Sequence, residues 1–426
     1  MSVPAETLSD IIWWLLQTVP ETEIASTQDA LCFVNRGWRR TVLSNPRLWQ
    51  IIYVDPFRSS SKLRFLRAIN LAGTLPLLLH FFVGISLPWP SPLLQAPDME
   101  AYLSRFLPIL VQRALPRCSQ LKLSWSSPSY AARVCDTLSA ESAPKLVDLQ
   151  VMGNTPALSR VQSPIDSIFH SGAPSLTRAS FDSAFLICPW GSVRELRLQG
   201  LEWKWQDVRV IVMAPHSLTH LFLHNLRYAE RGSPHELKSL TLPFLTHLYY
   251  CSDPEAGAMM EDILVAFHLP AVHTIELNVH AHFWEKGAVI PSFFSHIRRA
   301  SIVTRTNLET ILDAFPSIKE LRLQSQGQAF DAPNDLLRLV DQLSSPICQA
   351  LQRIILSRML GEPDLIHIIT ARKPGVFHPD LSIILPLLLP GMPYTLYQRG
   401  ILHQLSWRNG ALATHPVEID ALFASQ

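Results

Sequence analysis

Residues 316–323 read PSIKELRL, and residues 174–181 read PSLTRASF. The same phrase, P-x-L-x-x-L-x-L in outline, returns as PKLVDLQV at 144–151, GSVRELRL at 191–198, HSLTHLFL at 216–223, PFLTHLYY at 243–250, PAVHTIEL at 270–277 and SHIRRASI at 295–302. Looser versions are CSQLKL at 118–123 and ALQRIIL at 350–356. Five of these phrases couple an opening proline, a chain breaker, to an alternating apolar pair. Proline ends a preceding helix and pushes its neighbour to extended geometry. The apolar pair then marks a short strand with one buried face. Spacing between units is uneven, about 17 to 33 residues, which spans the period of leucine-rich repeats.

Between the phrases, MMEDILVAFHL at 259–269 and NLETILDAF at 307–315 read as helices. Strand, loop and helix in alternation give an α/β protein: an irregular leucine-rich-repeat solenoid with a curved parallel sheet over residues 116–360. The competing architecture is an ordinary α/β domain with several parallel strands. In LKSLTLPFLTHLYY, Leu240 and Leu242 offer a second register. Residues 56–115 form a connector and a first imperfect repeat, with a helix over Lys62–Leu71 and a strand over Leu77–Phe82. The proline-rich stretch 87–97 reads as a surface loop. Beyond Gly361 the pattern dissolves into a C-terminal repeat or cap region, 361–426.

With the apolar pairs inward, the residues between them face outward. They are Asp148 and Gln150; Arg178, Ser180 and Asp182; Glu195, Arg197 and Gln199; His220, Phe222 and His224; His247, Tyr249 and Cys251; Glu276 and Asn278; Arg299 and Ser301; and Glu320, Arg322 and Gln324. The centre of this face is aromatic and rich in histidine, and its ends are charged. Such a patch is the anatomy of a protein-binding hot spot, so His220, Phe222, His224, His247 and Tyr249 are candidate target-binding residues. Cover by loops or by the C-terminal segment is the alternative.

The first 55 residues follow a different pattern. Glu6–Gln17 reads as an amphipathic helix with Leu8, Ile11, Ile12 and Leu15 on its apolar side, between Pro4 and Pro20. A second helix is expected from about Thr27 into Trp38, with Leu31, Val34 and Trp38 at helical spacing. Pro46 stops the chain before Leu48 and Trp49, and Ile51–Val54 reads as a strand. A core this small completes its burial against a partner or serves as a cap on the following array.

These residues resemble the F-box. That family begins Leu-Pro before a Leu/Ile helix, and this chain has Val3-Pro4 and then ETLSDII. The family's Val-Cys-Arg-x-Trp-Arg segment and Leu-Trp pair are matched in FVNRGWRRTVLSNPRLW by Val34, Arg36, Trp38, Arg39, Leu48 and Trp49. Val3 replaces Leu, Asn35 stands where Cys is usual, and VPETEIASTQDAL is longer than the family's version. The chain is most similar to the large F-box-like families of mushroom-forming fungi, and LKSLTLPFLTHLYY resembles their mid-chain repeat. The resemblance implies a Skp-family adaptor and a cullin complex as partners. It implies adaptor contacts from Pro4, Leu8, Ile11, Ile12, Leu15, Leu31, Val34, Trp38, Leu48 and Trp49, and a substrate-recognition role in ubiquitin ligation. Catalysis then belongs to other subunits.

Composition narrows the alternatives. At 48% apolar and 17% charged, the chain carries enough apolar mass to fold. Its net charge of +1 gives no basic footprint for nucleic acid. The opening residues MSVPAETLSD carry no basic segment and no apolar core, so no secretory leader is expected. The apolar runs at 75–83 and 381–389 are too short to span a bilayer. The six cysteines, Cys32, Cys118, Cys135, Cys188, Cys251 and Cys348, contain no C-x-x-C pair and read as buried thiols. With no N-x-S/T acceptor either, the expected location is the cytoplasm or nucleus. His216, His220 and His224, or His273, His280 and His282, lack an accompanying carboxylate cluster, so no metal is expected. Trp203 and Trp205 around Lys204 suit either ligand stacking or a loop anchor. Phosphate-loop, dinucleotide, H-E-x-x-H and G-x-S-x-G motifs are absent, so neither a cofactor nor catalytic residues are expected. A binding scaffold with helices that only cap the array is the second reading, and an enzyme on an unrecognised α/β fold is the third.

Overall fold

A computed structural model describes residues 3–54, 61–83, 103–104, 106–125, 128–153, 168–203, 217–228, 240–251, 267–278, 294–303, 315–324, 351–356, 382–385 and 417–418. The chain divides into two compact units, Met1–Leu218 and Thr219–Gln426. The division falls inside the stretch expected as one array.

The first unit opens with three helices, α1 (Ala5–Thr18), α2 (Ile24–Val34) and α3 (Arg36–Ser44). Leu8, Ile12 and Leu16 form the buried stripe of α1, each one turn beyond the last. The single helix expected over Thr27–Trp38 is two helices. Asn35 breaks it with extended backbone (φ −165°, ψ 177°), and its Oδ1 accepts a hydrogen bond from the Trp38 N–H at 3.0 Å. That is an N-cap, and it satisfies one of the four donors a helix start leaves unpaired. The break explains why Leu31 is buried while Val34 is 56% exposed and Trp38 only half-buried. A second asparagine, Asn45, accepts from the Arg47 N–H at 3.0 Å and opens a 3-10 turn, Pro46–Trp49. Leu48 and Trp49 on that turn are buried. Gln28, itself buried, donates to the Leu48 carbonyl at 2.8 Å, and Trp49 Nε1–H donates to the Val42 carbonyl at 2.7 Å. The module's core thus holds its polar groups in pairs, as burial requires.

The parallel sheet begins at once. Strands β1 (Ile51–Val54), β2 (Leu77–Val83), β3 (Cys118–Trp125), β4 (Asp148–Gly153), β5 (Arg178–Asp182) and β6 (Glu195–Gln199) lie side by side in chain order, all parallel. Parallel neighbours need a crossover. Helix α4 (Ser61–Leu71) supplies the one between β1 and β2, and α5 (Pro128–Ser139) the one between β3 and β4. Ion pairs from Arg64 and Arg67 to Asp29, at 3.1 and 3.5 Å, hold α4 to α2.

In the second unit, β7 (His220–His224), β8 (His247–Cys251), β9 (Thr274–Asn278), β10 (Arg299–Val303), β11 (Glu320–Gln324), β12 (Arg353–Leu356) and β13 (Ser382–Leu385) are again parallel and in chain order. A last strand, β14 (Val417–Glu418), pairs antiparallel with β13. Strand therefore continues into the region expected as a C-terminal repeat or cap.

The described phrases that open on proline build a common local object. Proline occupies the second position of a turn: the Leu146 N–H donates to Ala143, Leu176 to Ala173, Leu245 to Leu242, Val272 to Leu269 and Ile318 to Phe315. Proline's fixed φ suits that position; most of the two helices expected ahead of Pro270 and Pro316 lies outside the described residues. Next, two consecutive N–H groups share one carbonyl of the preceding unit. Thr177 and Arg178 share Val147, His273 and Thr274 share Thr246, and Lys319 and Glu320 share Arg298. The alternating pair then enters the core: Leu149 and Val151, Ala179 and Phe181, Leu196 and Leu198, Leu221 and Leu223, Leu248 and Tyr250, Ile275 and Leu277 are all buried.

Two expected features change. Phe267–His268, the tail of an expected helix, is a short strand paired with Leu240–Thr241, because the second register at Leu240 is also used. Asp148 and Cys251 occupy outward positions but are buried. Asp148 is covered by the amides of Gln120 and Gln150 and by Arg178, at 3.2, 3.3 and 3.5 Å, while Asn278 Nδ2 reaches Cys251 Sγ at 3.2 Å. The loop at 87–97, the helix at 307–314, His216, His280, His282, Trp205, Cys348 and most of 361–426 lie outside the described residues.

Candidate functional site

The structure divides the ten expected adaptor contacts. Leu8, Ile12, Leu31, Leu48 and Trp49 are core residues of the helical module. Pro4, Ile11, Leu15 and Val34 are exposed, and Trp38 lies between the two classes. Two larger apolar residues escaped the sequence reading: Trp14 is 68% exposed and Phe33 is 82% exposed. On α1, Ile11, Trp14 and Leu15 continue the apolar surface beside the buried stripe. The run IIWWLL carries the signal for this, since it is wider than one buried stripe needs. Burial of such a surface is worth about 25 cal/mol per Å², so a module displaying Trp14, Phe33 and Val34 gains by docking.

A polar tie joins this module to the sheet within the first unit. Glu21, in the turn between α1 and α2, reaches Lys122 Nζ on β3 at 2.7 and 3.0 Å. Its Oε2 also lies 2.6 Å from His80 Nδ1 on β2, off the line of an aligned hydrogen bond. His80 Nε2 sits 3.0 Å from Ser124 Oγ, and the Tyr53 ring meets the imidazole edge-on at 5.0 Å. The His80 contact, and after it Lys122, holds the Glu21 carboxyl down at about 2 despite partial burial, which acts the other way. The tie borders an open cavity of about 240 Å³, walled by Leu16, Val19, Ile24, Ile52 and Leu79. Carboxylate, imidazole and hydroxyl follow one another in the order of an acyl-transfer relay. Ser124, however, is buried, and Glu21 is shared with Lys122. That arrangement fastens two elements together.

In the second unit the expected target-binding residues share one sheet face. Register places His220 beside His247 and Phe222 beside Tyr249, and His224 lies at the end of the same strand face. All five side chains are half-buried. The His220 and His247 rings stack at 4.3 Å and 9°, and His273 meets His247 edge-on at 5.2 Å. Phe222 and Tyr249 approach to 5.8 Å at 38°. The Thr246 hydroxyl gives its one proton to the Thr219 carbonyl at 3.0 Å, so toward His247 Nδ1, 2.9 Å away, it acts as acceptor. In that arrangement Nδ1 is the donor of the pair. Burial, followed by His220, His273 and Arg299, lowers its pKa. Burial and then Cys251 and Glu276 raise the Tyr249 phenol.

Among the described residues no group of histidine, cysteine or acidic side chains could hold a metal ion. No described helix is long and apolar enough to cross a membrane. Cys32, Cys118, Cys135, Cys188 and Cys251 are buried and in no disulfide, and burial pushes the Cys118 thiol up to about 12. No protein-family model matches the chain, and no curated protein matches it.

Proposed function

We propose that this chain is the substrate-recognition subunit of a cullin-based ubiquitin ligase, working in the cytoplasm or nucleus. In this reading residues 1–55 are an F-box-like module that docks on a Skp-family adaptor. The parallel sheet belongs to an irregular leucine-rich-repeat solenoid, and its outward face binds a target protein. The ligase then acts by proximity, with the bond-forming chemistry on other subunits. One observation carries the proposal: the helical module that bears the F-box resemblance keeps Ile11, Trp14, Phe33 and Val34 exposed after its own core is filled. Exposed large apolar groups on a small module are what a docking surface needs.

A second reading has its own support. The tie from Glu21 to His80 and Lys122 fastens the same module to the sheet, which suits helices that cap a binding scaffold. Co-expression of the full chain with a Skp-family adaptor separates the two. A stoichiometric complex through size exclusion is expected. A folded chain that elutes alone at micromolar concentration favours the cap.

A further inference from the structure

Across strands β7, β8 and β9 the register sets Phe222, Tyr249 and Glu276 in one row. Adjacent positions in such a row lie about 4.8 Å apart. The two rings are half-buried and tilted toward one another, while the Glu276 carboxylate is exposed. Two other acids on outward sheet positions are paired, Glu195 with Arg197 at 2.7 Å and Asp148 with Arg178 at 3.5 Å. Among the described residues Glu276 makes no ion pair. Register sets Glu276 directly beside Tyr249 on the neighbouring strand.

Resting on the reading that this face binds the target, we infer that the target presents an arginine side chain whose guanidinium stacks on Phe222 and Tyr249 and pairs with Glu276. Ring faces carry negative quadrupole density and attract a cation, and the attraction strengthens as water is displaced. Glu276 supplies the complementary charge at the end of the row. Arginine fits better than lysine because its flat, weakly hydrated head can stack and bond a carboxylate at once. The stacked pair of His220 and His247 lies one row position away on the same face.

A randomised peptide library displayed on phage and selected against the full chain tests this. The expected result is enrichment of arginine in sequences whose affinity falls at least tenfold in Phe222→Ala/Tyr249→Ala and in Glu276→Lys. In the peptides themselves, Arg→Lys should cost a few-fold and Arg→Gln at least tenfold, with the protein left untouched. Glu276 is exposed, so its replacement leaves the fold intact. If peptides depend on Phe222 and Tyr249 but show no basic enrichment, or ignore Glu276→Lys, the arginine inference falls and the target-face reading stands. If no selected peptide depends on Phe222 and Tyr249, or none is selected, both fall.

Discussion

Replacing Glu21 by glutamine should loosen the helical module from the sheet and remove a pH dependence with it. The carboxylate holds Lys122 at 2.7 Å and lies 2.6 Å from His80, which brings its pKa from 4.5 to about 2. At about 1.4 kcal/mol per pH unit, a fully realised shift of that size corresponds to about 3 kcal/mol. The Glu21 side chain is about half exposed, and solvent screening reduces the contribution to about 1–1.5 kcal/mol. The sign follows from linkage. A carboxyl whose pKa is lowered by folding contributes its full stability above 4.5, and the contribution is lost as pH falls toward 2. Hydrogen exchange over Glu21–Val34 and β1–β2 in the full chain, from pH 7 down to 3, reads the effect locally. The wild type should lose protection in this region relative to β5 and β6 as pH falls. Glu21→Gln should begin about 1 kcal/mol less protected and show a flatter pH response. Identical pH responses in the two proteins would refute the tie.

Other perturbations test other parts of the structure. Trp49→Phe removes the donor to the Val42 carbonyl in a buried site and should cost about 1–3 kcal/mol of helical-module stability, read by exchange protection of α3. Asn35→Ala removes the cap on α3 and should cost about 1 kcal/mol, with Asn35→Ser recovering most of it in the same measurement. Burial, and after it His220, His273 and Arg299, lowers the His247 pKa, so His247 binds its proton less readily folded than unfolded. Stability of β7–β9 should therefore fall as pH drops through the window below 6.5, and His247→Asn should flatten that response in exchange experiments.

The strands were readable in advance because each phrase carries an alternation of period two, and five of them open on a chain-breaking proline as well. Leu321 and Leu149 face inward wherever that alternation is intact. Asn35 shows how a local signal can be masked. Leu31, Val34 and Trp38 keep helical spacing across the break, and only the capping preference of asparagine betrays it. Trp14 was missed because the apolar run IIWWLL covers much of α1 and does not say which side the core takes. The Glu21 tie had no sequence signature at all, since its partners lie 59 and 101 residues away in the chain and meet only through packing. Cys251 follows the alternation outward yet is buried, because its cover comes from Asn278 on the neighbouring strand.

Isothermal titration of the full chain with a Skp-family adaptor tests the proposed role most directly, in the wild type and in Trp14→Asp/Phe33→Asp. Both residues are exposed, so their replacement leaves the module's core of Ile12, Val42 and Leu48 in place. The account predicts one-to-one binding at micromolar affinity or tighter for the wild type. Loss of two large apolar anchors, each worth about 2 kcal/mol or more, predicts at least a hundredfold weakening in the double variant. No heat of binding from a folded wild type, or equal affinity in the two proteins, would contradict it.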